Sequence, residues 1–225
     1  CTTGIISAEK SGTGRPLLWK QRDTDDYYNH MEYFKGEDLR KKAPKPHEMT
    51  ETFLRPILCS LLKTLDYLHK KNILHRDIKP SNILLTDDGD LQLIDFGTAR
   101  NLVGSFTATT FESEGYTPYE QTQNLGNVGF WTDLYALGAT CYRLIIGKHP
   151  PKSTKRIHKK DPYVPLVGNR KIRQRYSEEF LAGIDKALAL EPENRWQSAT
   201  EWLQALPEQE LSVPTPPRGG VSLGK

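Results

Sequence analysis

The 225 residues predict an α+β fold that is mainly α-helical, and three observations carry the prediction. Phe53, Leu54, Ile57, Leu58, Leu61, Leu62, Leu65 and Leu68 recur at three and four residues, which puts them on one face of a long helix. Residues 139–146 repeat that period. Two short apolar runs, 83–85 and 91–94, flank an Asp87-Asp88-Gly89 turn and read as a hairpin.

Composition narrows the function classes. Charged residues make up 26% and hydrophobic ones 36%, as in a soluble domain long enough to bury a sizeable core. A net charge of +3 is too small to imply a nucleic-acid partner. Cys1, Cys59 and Cys141 are too widely spaced for a disulfide framework or a metal knuckle, which favours a reducing cytoplasm. No apolar run approaches membrane-spanning length, since Leu144, Ile145 and Ile146 are cut off by Gly147 and Lys148. Neither a secretory leader nor an internal repeat is visible.

Taken in order, Ile5 and Ile6, a Ser11-Gly12-Thr13-Gly14 turn and Leu17, Leu18 and Trp19 predict an N-terminal hairpin within 1–30. Arg40, Lys41, Lys42 and Lys45, broken by Pro44 and Pro46, read as a solvated loop. In the helix that follows, Pro56 falls in the first turns, where a missing N–H is tolerated. Its far end delivers Asn72 and His69, the latter a packed histidine rather than a ligand. Residues 98–115 are polar and aperiodic, with Thr107, Thr109, Thr110 and Ser113. Lys152, Lys155, Arg156, Lys159, Lys160, Arg170, Lys171, Arg173 and Arg175 form a basic stretch rich in proline, read as a solvated connector. Ser177 with Glu178 and Glu179 opens a helix through Leu190, and Ser198 with Glu201 makes a capping box for a last helix to Leu206. From Pro207 the Pro- and Gly-rich tail is expected to be disordered.

The chemistry concentrates in 75–82, His-Arg-Asp-Ile-Lys-Pro-Ser-Asn, followed by Asp95. Asp77 can accept a hydroxyl proton, Lys79 can balance charge on a moving phosphate, and Asn82 with Asp95 can present oxygens to magnesium. This run, with Asp95-Phe96-Gly97, resembles the catalytic loop and metal-binding motif of bacterial-type serine/threonine protein kinases, general templates of phosphoryl transfer. The resemblance covers 31–206 and implies a kinase hinge and large lobe, with the N-terminal hairpin standing in place of a complete small lobe. By it, Met31 is the gatekeeper, Glu32 and Phe34 meet adenine through their backbone, Asp38 reaches the ribose, and Leu84 lies beneath adenine. Residues 98–120 resemble an activation segment, closed by Gly-Tyr-Thr-Pro-Tyr-Glu, with Tyr119 a departure from the usual Ala-Pro-Glu ending. The resemblance further implies that Glu120 pairs with Arg195, that Asp133 ties back to the catalytic-loop backbone, and that Arg76 faces a phosphate on the activation segment. Lys79 implies hydroxyl-amino-acid acceptors.

The first thirty residues depart from this pattern, since Asn29 and His30 stand where the family has a buried apolar strand. Gly12-Thr13-Gly14 and Lys20 imitate a phosphate loop and its strand lysine, but Pro16 replaces the third glycine and no helix glutamate fits between Lys20 and Met31. The opening Cys-Thr-Thr-Gly-Ile-Ile-Ser-Ala resembles choloylglycine-hydrolase and penicillin-acylase enzymes, whose nucleophile would fall on Cys1 with Arg22 and Asp25 as early partners. A surface hairpin without chemistry ranks ahead of both. The implied function is transfer of the ATP γ-phosphoryl group, with Mg2+, to a serine or threonine of a protein, slow or absent in these residues alone. The alternatives are a pseudokinase-like binding module and an N-terminal-cysteine amide hydrolase.

Overall fold

The computed structural model describes residues 36–86, 89–96, 99–101, 113–122, 127–157 and 160–206. The N-terminal hairpin, Met31, Glu32, Phe34, Lys159, the threonines at 107, 109 and 110, and the tail from 207 fall outside these residues. Helices dominate. The elements run β1 (Gly36–Asp38), α1 (Leu39–Lys42), α2 (Glu51–Lys70), β2 (Ile73–Leu74), β3 (Ile83–Thr86), β4 (Leu91–Leu93), β5 (Arg100–Asn101), α3 (Tyr119–Thr122), α4 (Phe130–Ile146), α5 (Ser153–Arg156), α6 (Glu178–Ala187) and α7 (Ala199–Ala205).

Helix α2 begins where Thr50 Oγ1 accepts from the Phe53 N–H at 3.4 Å, which satisfies one donor that the first turn leaves open. Leu54, Ile57, Leu58, Leu61, Leu62, Leu65 and Leu68 are all buried along its length. Each such side chain removed from water contributes roughly 1.5–3 kcal/mol. Pro56 sits inside the helix, in its second turn. Helix α4 is buried on nearly every side, from Thr132 to Ile145, and forms the centre of the core. It approaches α6 so closely that a Cβ on Gly138 would lie 2.9 Å from the Ala187 Cβ. Gly147 ends α4 in the left-handed region at φ 85°, a conformation that costs glycine little.

A three-stranded antiparallel sheet of order β1-β3-β4 lies at one edge. Its register sets Asp38 opposite Leu84 and Leu84 opposite Gln92. Successive side chains of a strand point to opposite faces, so Ile83 and Leu85 enter the core while Leu84 and Thr86 face the other way. A second small sheet pairs β2 with β5.

Four expectations need correction. The charge run after Asp38 is not all loop. Leu39 is fully buried, and Asp38 caps the single turn of α1 by accepting from the Arg40 N–H at 2.9 Å. Helix α6 stops at Ala187, short of Pro192, which has no N–H to offer the Leu188 carbonyl and holds Glu191 extended. Guanidinium groups take the open carbonyls instead, Leu188 accepting from Arg156 and Ala189 and Leu190 from Arg195, at 2.7–2.8 Å. The basic stretch is likewise not one solvated connector. Arg156 is buried, gripping Asp161 and lying over the Tyr163 ring, while Arg175 donates to the carbonyls of Pro46 and Met49. The last helix uses a modified box: Ser198 Oγ accepts from the Glu201 N–H, but Glu201 reaches back to the N–H of Gln197 rather than Ser198.

Glu120 and Arg195 form a bidentate pair at 2.7 and 3.1 Å, with side chains 5% and 0% exposed. Thr132 Oγ1 donates to Glu120 at 3.1 Å, so α3, α4 and the loop before α7 meet at one charge pair. Removing one partner from such a pair strands a buried charge. Arg195→Met is expected to cost about 3–5 kcal/mol, and the double variant Glu120→Gln/Arg195→Met less than the sum of the singles. Urea unfolding of the four proteins checks this.

Candidate active site

The loop between β2 and β3 is built on a buried carboxylate. Asp133, fully enclosed near the start of α4, accepts from the backbone N–H of His75 at 2.9 Å and of Arg76 at 2.8 Å, and contacts His69 Nε2 at 3.0 Å. Burial pushes its carboxyl up, but the His69 and backbone hydrogen bonds outweigh this and hold it below the usual carboxylate range. His69 also stacks on Phe130, with centroids 4.5 Å apart. Arg76 adopts φ 67°, which a non-glycine residue holds only under constraint. Asp133 grips its N–H, and Gln121 donates to its carbonyl at 3.0 Å. The chain turns there and presents Asp77.

Asp77 collects three side-chain donors. Its Oδ2 accepts from Lys79 Nζ at 2.6 Å and Asn82 Nδ2 at 2.9 Å, and its Oδ1 accepts from Ser113 Oγ at 2.7 Å. Lys79 also donates to Ser113 Oγ at 3.0 Å. Burial pushes the Asp77 carboxyl up, and the bonds from Lys79, Ser113 and Asn82 more than reverse it, so the group stays ionised below the usual range.

Asn82 and Asp95 are joined through the backbone. The Ile94 N–H donates to the Asn82 carbonyl at 2.9 Å, so Asp95 follows directly from that contact. His75 Nε2 holds the Ile94 carbonyl at 3.0 Å, and its ring meets Phe96 edge-on. Burial pushes the His75 imidazole down, so it is neutral near pH 7, with its proton on Nε2 facing the carbonyl. Asp95 is exposed, at φ 64°. The Asn82 amide nitrogen donates to both the carbonyl and the carboxylate of Asp77, which leaves Oδ1 as its acceptor atom, where it accepts from Ser81 Oγ at 3.3 Å. An amide oxygen and a carboxylate are hard donors suited to Mg2+, which completes its shell with water and phosphate oxygens. Among the described residues no cluster of three or more His, Cys, Asp or Glu could hold a metal alone.

Residues 18–206 match the protein kinase domain family model. The chain belongs to that family. It is 34% identical over 197 residues to serine/threonine-protein kinase PknA of Nostoc sp., covering 84% of this chain and 34% of that protein. Serine/threonine-protein kinase D of Synechocystis sp. is 34% identical over 85% of this chain and 38% of its own length. A probable serine/threonine-protein kinase of Clostridium acetobutylicum is 34% identical over 80% and 28% respectively. The chain thus spans about a third of the length of the curated relatives it matches. It is a protein kinase domain, mainly helical with a small sheet, and these relatives carry the name of serine/threonine-protein kinases. Membership implies ATP as phosphoryl donor and, as a rule, magnesium. The match starts at Leu18, inside the segment that the sequence reading sets apart, and the amide-hydrolase resemblance of that segment finds no support in these comparisons.

In this kinase domain Asp77, Lys79 and Asn82 share one hydrogen-bonded cluster, with Asp95 tied to it through Ile94. Leu84 sits half-buried on the open face of β3, opposite Asp38. The Asp38 carboxylate is engaged by its neighbour, accepting from Arg40 Nε at 3.0 Å and Nη2 at 2.9 Å. Met31, Glu32 and Phe34 lie outside the described residues. Ser113 is the member that sequence reasoning missed as a site residue. Its only sequence signal is its place just before the Gly-Tyr-Thr-Pro-Tyr-Glu ending, since 36 residues separate it from Asp77.

The depressed Asp77 value has a definite sign. Its contribution to stability is complete above the ordinary carboxylate value, near pH 4, and is lost as pH falls through the lower folded value. Lys79→Met and Ser113→Ala are each expected to move the Asp77 titration upward. Carbon-13 NMR of the carboxyl groups between acid and neutral pH checks this.

Proposed function

We propose that this chain transfers the γ-phosphoryl group of ATP to a serine or threonine hydroxyl of a protein. The observation that carries the reading is the Asp77 carboxylate, kept ionised and oriented by Lys79, Asn82 and Ser113. In the proposed step Asp77 accepts the proton of the acceptor hydroxyl as that oxygen bonds to phosphorus and ADP departs with the electrons of the broken bond. Lys79, beside Asp77, balances charge on the transferred group. Asn82 through Oδ1 and Asp95 through its carboxylate would hold Mg2+, which offsets the phosphate charge when bound. Leu84 offers an apolar floor for adenine, and Asp38 lies across the strand pair from it, at the ribose end.

Phosphoryl transfer depends on positioning and charge stabilisation, to which a kinase lysine held by a helix glutamate contributes. Residues 21–30 contain no glutamate for Lys20. Tested as these 225 residues, transfer is therefore expected to be slow, and nucleotide affinity low.

The test is radiolabel transfer from ATP to a generic protein acceptor, with melting temperature followed with and without Mg-ATP. Asp77→Asn is expected to remove all transfer while the fold persists, and Asp95→Ala to remove the thermal shift. Unchanged labelling by Asp77→Asn would refute the base assignment. A thermal shift without any transfer would favour the non-catalytic binding module.

A further inference from the structure

The turn that carries Ser113 to Asp77 is bordered by cations. Within it the N–H groups of Tyr116 and Thr117 both donate to the Ser113 carbonyl. It is backed by the segment that follows α4. Ser153 Oγ donates to the Thr117 carbonyl at 2.9 Å, and Gly115, at φ 80°, lies against His149 and Pro150. The last turn of α4 carries Arg143, and Gly147, which caps that turn, packs on Pro46 of the loop after α1. Three segments therefore converge beside the catalytic acid: α1 with its following loop, the turn 113–117, and the end of α4.

Their charges are unequal. Arg143 and Arg40 both lie within electrostatic reach of the half-buried Tyr116 phenol. Burial pushes that phenol up, so at neutral pH it stays uncharged and does not neutralise either cation. The acids of these segments are already engaged: Asp38 with Arg40, Glu114 with Lys152 at 3.5 Å, and Glu48 with the His47 ring at 3.3 Å. Arg143 has no carboxylate partner among the described residues, and Lys41, Lys148 and His149 are exposed nearby. An acceptor segment whose hydroxyl reaches Asp77 must pass over this turn. A guanidinium without a carboxylate partner among the described residues matches a carboxylate in charge and in planar geometry.

We propose that Arg143, with Arg40 beside it, is a specificity residue that favours acceptor segments carrying an aspartate or glutamate near the serine or threonine. This rests on the phosphoryl-transfer reading for its meaning, but binding tests it independently. The probes are three fluorescent peptides of one sequence, with the acceptor serine replaced by alanine and the flanking positions filled by glutamate, glutamine or lysine. Fluorescence anisotropy with this chain is expected to give affinities about three- to tenfold tighter for the glutamate than for the lysine peptide. Added salt should shrink the gap. Arg143→Gln should bring the two within about twofold while Arg143→Lys restores part of the difference. Arg40 is 63% exposed, so Arg40→Gln should fold normally. By releasing the Asp38 carboxylate, it should lower the preference or reverse it.

Equal affinities in the wild type would overturn the proposal. So would a preference for glutamate that survives both Arg143→Gln and Arg40→Gln at unchanged melting temperature. The transfer reading fails by a different result: no label on serine-bearing versions of any of the three peptides, whatever their order of affinity.

Discussion

The loop that holds the chemistry depends on one enclosed carboxylate. A buried charge is tolerated only when its lone pairs are filled, and Asp133 fills them with two consecutive backbone N–H groups and a histidine. Because the partners are the N–H groups of His75 and Arg76, the bond is to chain direction rather than to a side chain. It sustains the left-handed turn at Arg76, whose cost is of order 1–2 kcal/mol. Residues far apart in sequence thereby share one rigid unit: the end of α2 through His69, the loop, and α4. Asp77 inherits its position from that unit, and its protonation state from the donors around it.

Arginine carries much of the remaining order. Arg195, Arg156 and Arg175 each bring a planar fork of donors to backbone carbonyls that no helix or strand uses. Arg195 and Arg156 also hold a carboxylate and lie over an aromatic ring. One side chain thus satisfies polar backbone at helix ends while burying its own stem. Lysine, a point charge with a strongly hydrated head, could not replace these roles without leaving carbonyls unpaired.

Ser113 joins two parts of the machinery that the primary structure separates. Its hydroxyl bridges Asp77 and Lys79, and its backbone anchors the turn that Ser153 and His149 support from behind. Movement of that turn would change both the donors on Asp77 and the surface that the turn presents beside it. Glu120, a few residues on, locks the far end of the segment to Arg195. The state of the acid and the shape of the acceptor surface are therefore coupled through one short stretch of chain.

Sequence alone determined the parts of this protein whose cause is local. The leucine period of α2, the caps at Ser177 and Ser198, the β3–β4 hairpin and the order of residues in the 75–82 loop all follow from neighbours within a few positions. The tertiary structure decided what depends on distant groups. Arg156 took the Leu188 carbonyl beyond α6, and Ser113 reached Asp77 across 36 residues. Arg156 left the solvated stretch for the interior and Arg175 turned half-buried onto the loop before α2, whereas Arg170, Lys171 and Arg173 stayed outside. No periodicity distinguishes these arginines. Composition records that a charge is present, but only packing decides whether a carbonyl, a ring or water stands opposite it.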